Sequence, residues 1–112
     1  MNCNPPTQTQ NLTPYFCVCG AFCLALDRKL DSLPQRKIEN SYIIDTEKVN
    51  FESKFELGQQ IALKRDEGIE LQFRYQCDNC GLWIGYHCDI ELKKKEEPKF
   101  IYLYKDGWFV GF

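Results

Sequence analysis

Residues 17–20 read Cys17-Val18-Cys19-Gly20, and residues 77–81 read Cys77-Asp78-Asn79-Cys80-Gly81. These two stretches decide the fold. Zinc takes four ligands at tetrahedral corners, about 2.3 Å from thiolate sulfur, which sets neighbouring sulfurs roughly 3.8 Å apart. A tight turn brings two thiolates that close. Two intervening residues, as in Cys77–Cys80, is the common knuckle spacing, and the single residue between Cys17 and Cys19 gives a tighter turn. Gly20 and Gly81 follow at once, since such a turn needs a residue that accepts positive φ. The two pairs are distant in sequence, so one ion held by Cys17, Cys19, Cys77 and Cys80 closes a long loop. The pattern predicts one structural zinc.

Composition agrees. A chain of 112 residues is one domain with a thin core, for which an internal staple is expected. Seven cysteines, an odd number, in a chain whose polar start (Met1–Pro14) has neither signal-peptide nor transit-peptide character, argue for metal over disulfides. An intracellular site, cytoplasmic or nuclear, is the matching expectation. Hydrophobic residues at 44% and charged residues at 27% mark a globular chain, and eight Phe, six Tyr and two Trp favour β structure. A net charge of −2 builds no field that draws the chain to nucleic acid or to an anionic membrane. No apolar run is long enough to span a bilayer, so membrane association is expected only through partners.

Residues 1–13 read as a flexible polar lead and residues 14–112 as a single zinc-binding β domain. Ala21–Leu26 alternates between two apolar faces, a strand buried on both sides. Asp27–Arg36 is a polar connection with room for one helical turn before Pro34. Tyr42–Ile44 forms the centre of a short strand, Glu47–Leu57 fits neither period, and Gln59–Lys64 is a strand candidate ahead of a turn at Asp66-Glu67-Gly68. Ile69–Gln76 alternates cleanly, predicting Ile69, Leu71, Phe73 and Tyr75 inside and Glu70, Gln72, Arg74 and Gln76 in solvent. Leu82–Cys88 alternates again, with Leu82, Ile84, Tyr86 and Cys88 on one face. The balanced charges from Asp89 to Lys99 read as a solvated loop. Asp106-Gly107 between Phe100–Tyr104 and Trp108–Phe112 predicts a hairpin. The fold class is therefore mainly β with little helix, of the β-tent or split zinc-ribbon kind.

The remaining thiols and the one histidine fall outside this set. Cys23 alternates within an apolar strand and Cys88 shares a face with Ile84 and Tyr86, so both read as core. Cys3 lies in the polar lead. His87, beside Cys88, is the candidate for a second metal site with Cys88 or Cys23. Four thiolates close the coordination shell, whereas a catalytic zinc keeps an open position. No Gly-rich phosphate loop is present, and a lone His without a supporting motif makes a weak general base. The sequence thus predicts a protein that is not an enzyme.

Several of these residues carry a resemblance. Tyr15-Phe16-Cys17-Val18-Cys19-Gly20, then Leu24-Ala25-Leu26-Asp27, Leu30 and Leu33-Pro34, resemble the start of the STING ER exit protein family. So do Lys64-Arg65-Asp66-Glu67-Gly68-Ile69-Glu70, Gln72-Phe73-Arg74 and Cys77-Asp78-Asn79-Cys80-Gly81-Leu82, with Asp106-Gly107 near the end. The resemblance implies a non-enzymatic adaptor. Animal members promote exit of STING from the endoplasmic reticulum by recruiting a phosphatidylinositol 3-kinase complex, and members are associated with spliceosomal and nuclear assemblies. Members also carry a basic helical C-terminal tail, which the sequence as far as Phe112 lacks, so the zinc domain is what carries over.

Three functions are in competition. A protein-binding subunit of a larger assembly would use the Glu70-Gln72-Arg74 face or the aromatic end, Trp108 to Phe112. An RNA-binding or spliceosome-associated zinc protein would use Lys64, Arg65, Arg74 and Tyr75, because zinc knuckles with aromatics stack unpaired bases. A small zinc enzyme of the β-tent type would need a second metal.

Overall fold

The computed structural model describes residues 12–90 and 97–110. The expected lead thus falls almost wholly outside the described residues, as does the centre of the Asp89–Lys99 loop. Nine strands run in order: β1 (Thr13–Cys17), β2 (Phe22–Leu26), β3 (Tyr42–Asp45), β4 (Phe51–Ser53), β5 (Phe55–Arg65), β6 (Gly68–Cys77), β7 (Trp83–His87), β8 (Phe100–Leu103) and β9 (Phe109–Val110). Helix among the described residues is one 3-10 turn, Leu30–Ser32, in the connection ahead of Pro34. No helix is long and apolar enough to cross a membrane.

The strands form two antiparallel sheets, ordered β4-β2-β1-β9 and β3-β8-β7-β6-β5. The mainly β class follows. The sheets share one core. Leu24 and Leu26 of β2, Ile44 of β3, Ile84 of β7, Ile101 and Leu103 of β8 and Trp108 are almost fully buried in it. The stretch that fits neither period, residues 47–57, passes from one sheet to the other. Phe51–Ser53 pairs with β2, Phe55 begins the pairing with β6, and the Lys54 N–H donates to the Cys23 carbonyl at the crossing. A strand that changes sheets presents each half to different neighbours, so no single alternation describes it.

Three expectations fail. Asp106-Gly107 does not close a hairpin, because β8 pairs with β3 and β7 while β9 pairs with β1 in the other sheet. Gly107 adopts φ +97 in a connection between sheets. A turn residue reports local backbone freedom and says nothing of which strands it joins. Next, Trp108 is 0% exposed, with its indole N–H donating to the Tyr104 carbonyl, so it is core and offers no partner surface.

The third failure is the face of β6. Ile69 is 73% exposed, while Gln72 is 1% exposed. The Arg36–Ser41 turn, with Asn40 at φ +64, lies against the side of the sheet that the alternation assigned to solvent. Arg36 donates to both carboxylate oxygens of Glu70 and, at 2.6 Å, to the Tyr86 hydroxyl. The Tyr86 hydroxyl in turn donates to Glu39, and Arg65 pairs with Glu70 at 2.9 Å. The Arg36 guanidinium also lies over the Tyr102 ring, and that of Arg74 over the Trp83 ring at 4.4 Å. A polar face is buried here because charges pair and stack across it.

Candidate metal centre

Both cysteine pairs sit at hairpin turns. Cys17 ends β1 and Cys77 ends β6, and each turn leads into the antiparallel partner, β2 or β7. The two turns are built alike. Gly20 donates to the Cys17 carbonyl at 2.8 Å and Gly81 to the Cys77 carbonyl at 2.9 Å, with φ of +95 and +82. The Cys17 N–H returns to the Ala21 carbonyl, and the Cys77 N–H to that of Leu82. The likeness continues past the turns. Each departing strand slips register by one residue, leaving Cys23 of β2 and Ile84 of β7 unpaired, and both are 0% exposed. The slip explains why the alternation through residues 82–88 fails: Trp83 opposes Gln76 and Tyr86 opposes Arg74, on one face of β6. Gly85 follows the slip, where a Cβ would collide with the Tyr102 carbonyl.

Cys17, Cys19, Cys77 and Cys80 converge, with all four sulfurs within 4.8 Å of one another. The short separations run between turns: Cys17 to Cys80 is 3.5 Å, and Cys19 to Cys77 is 3.7 Å. These lie close to the roughly 3.8 Å that tetrahedral thiolate coordination requires. A metal ion can therefore enter with little movement of the chain. Cys17 and Cys77 are buried, whereas Cys19 and Cys80 face solvent. Burial pushes the Cys17 thiol up to about 12. The Asn79 side-chain amide, with the Ala21 N–H, draws Cys19 down to about 6. A cation among four sulfurs this close offsets the mutual repulsion that their thiolates would otherwise feel.

Asn79 is the functional residue that the spacing did not single out. Its backbone N–H donates to the Cys77 sulfur and its side-chain amide to the Cys19 sulfur, each at 3.4 Å. The second bond spans two turns far apart in sequence, so no local signal marks it.

Of the other candidates, Cys23 borders the cluster and the rest lie elsewhere. Cys23 is buried in the core beside Cys77, and burial pushes its thiol up to about 12. The His87 ring stacks on Phe73 with centroids 5.0 Å apart, and its Nδ1 accepts the Asp89 N–H. Cys88 is half-buried near Arg36 and Glu70, on the outer side of the sheet. Among the described residues, the four cysteines are the one cluster of three or more potential ligands. Three of the four residues offered for RNA are engaged within the fold. Arg65 pairs with Glu70, Arg74 stacks on Trp83 and donates to Gln72, and Tyr75 packs on Phe55. Lys64 remains exposed.

Comparison with known proteins adds two findings. A family model described as the STEEP1 domain matches residues 6–109. A curated Drosophila melanogaster protein named STING ER exit protein is 33% identical over 79 residues, covering 67% of this chain and 32% of that protein. The chain thus spans about a third of that relative's length.

Proposed function

The chain belongs to the STEEP1 domain family, and from that premise we propose that it is a non-enzymatic adaptor for export from the endoplasmic reticulum, folded around one zinc ion. Cys17, Cys19, Cys77 and Cys80 are the ligands. The convergence of these four sulfurs within 4.8 Å is the observation that carries the reading. When bound, the ion supplies structural cross-linking: it fixes β1–β2 of one sheet to β6–β7 of the other. With four protein thiolates there is no open position for water or substrate. The name of the Drosophila relative describes transport rather than a reaction, in keeping with an adaptor that acts through protein contacts inside the cell.

The apolar side chains that remain exposed beside the ligands, Val18 at 59%, Leu82 at 36% and Trp83 at 39%, make the cysteine end the place for those contacts. Of the two surfaces named from sequence, the Glu70-Gln72-Arg74 side is packed and Trp108 is core, while Gly111 and Phe112 of the aromatic end lie outside the described residues.

Two measurements test this. Native mass spectrometry of the chain is expected to show one zinc per molecule, and a metal-free folded chain would overturn the structural role. In cells depleted of the endogenous family member, adding back the protein is expected to restore arrival of STING at the Golgi. Unchanged arrival, with a Cys77→Ser variant behaving like wild type, would overturn the export role.

A further inference from the structure

We propose that Asn79 is the residue that sets how slowly the metal leaves, by holding the exposed ligand Cys19, so that release and attack begin at Cys80. The inference rests on the zinc reading and goes beyond it, to the order in which the ligands act.

The four sulfurs are not equivalent. Cys17 and Cys77 are buried, which protects them from water and from solvent-borne reagents. Cys19 and Cys80 are both exposed, so exposure alone does not rank them. Hydrogen bonding does. The Cys19 sulfur accepts the Asn79 side-chain amide at 3.4 Å. The Cys80 sulfur, among the described residues, has the Cys17 sulfur as its hydrogen-bonding neighbour and receives no N–H. Four thiolates around a divalent ion leave surplus negative charge on the sulfurs, and N–H donors disperse it. The ligand without such donors is the stronger nucleophile, and no N–H contact holds it in place once its bond to the metal loosens.

Asn79 also ties the two turns together. Its backbone N–H reaches Cys77 in its own turn and its side chain reaches Cys19 in the other. Asp78, the other inner residue of that turn, is exposed and serves as the matched control.

The test uses the zinc-loaded chain and a chromophoric chelator in excess, which reads the rate of zinc release. Asn79→Ala is expected to release zinc about tenfold faster than wild type, the lower end of what outer-shell partners contribute. Asn79→Asp keeps the shape, replaces the donor with a negative charge and is expected to be faster still, while Asp78→Ala stays at the wild-type rate. A positional role in the turn alone would leave the near-isosteric Asn79→Asp change milder than Asn79→Ala, and that ranking would overturn the proposal. A second readout needs no variant. With limiting iodoacetamide on zinc-loaded wild type, where a sulfur–carbon bond forms and iodide leaves, mass spectrometry is expected to find Cys80 modified before Cys19. The reverse order also overturns it. A wild-type chain that carries no zinc at all would instead remove the reading beneath, and is recognised by its metal count.

Discussion

At its C-terminal end β6 delivers Cys77 into a cluster of four thiols, whereas along its middle Glu70, Gln72 and Arg74 run beneath a layer of arginines, carboxylates and tyrosines. Both regions join residues far apart in sequence. The first does so with four sulfur atoms, and on the proposed zinc reading they share one ion, so that removal of a single ligand is expected to undo it. The second divides its work among many contacts: Arg36 with Glu70, Tyr86 and Tyr102; Arg65 with Glu70 and Glu39; Arg74 with Gln72 and Trp83. Its charged groups stay partly solvated, with side chains of Arg36 and Glu70 at 25% and 17% exposure. Water screens each of these pairs, so single losses there are expected to be graded where losses at the sulfurs are expected to be abrupt.

The largest expected effect separates the two at once. Cys77→Ser, or a strong chelator on wild type, is expected to cost on the order of 5 kcal/mol or more and to unfold a domain of this size, because metal binding and folding are one event at such a site. Thermal unfolding with and without chelator measures it. Cooperative unfolding unchanged by chelator would erase the contrast.

An intermediate effect lies in the layer. Glu70→Gln removes the carboxylate shared by Arg36 and Arg65, at an expected cost of about 1–3 kcal/mol with zinc content unchanged. Its pH dependence sharpens the test. Arg36, with Gln72 and Arg65 supporting it, holds the Glu70 carboxyl down to about 2, from an ordinary 4.5. A carboxyl depressed in the folded state stabilises above its unfolded pKa, and that stabilisation fades as pH falls through the folded value. Denaturant titrations should therefore show the gap between wild type and Glu70→Gln full above pH 4.5 and shrinking toward pH 2. A gap that does not change with pH would mean that the ion pair is not its source.

The smallest effect is at the rim. Arg74→Lys keeps a donor within reach of Gln72 and gives up the stacking of the planar guanidinium on Trp83, worth about 0.5–1 kcal/mol at a site that water reaches. A loss of several kcal/mol would place the layer in the same class as the sulfur cluster.

The two regions also differ in how far they were legible. The four cysteines that cluster, the glycines after them and the strands that flank each turn were open to reading because they are local. Cys-x-Cys-Gly and Cys-x-x-Cys-Gly state their geometry within a few residues. Which side of β6 is covered was not, since Ile69 to Gln76 alternates well and the alternation names two faces without naming what lies on them. Arg36 and Glu39, which cover the polar face, come from a turn with no apolar pattern at all. The shift of phase after Cys80 was hidden for a similar reason: one unpaired residue, Ile84, turns Trp83 to the side of Tyr86, and only the register with β6 reveals it.

The sequence by itself determined that four thiols would act together and that the chain would fold as paired strands, because side-chain chemistry and short-range turn geometry are written residue by residue. Only the tertiary structure decided which sheet β9 joins, that the polar face of β6 is covered and that Asn79 reaches across to Cys19. Those depend on which distant segments meet, and charge pairing and stacking between them outweighed the hydrophobic alternation of a single strand.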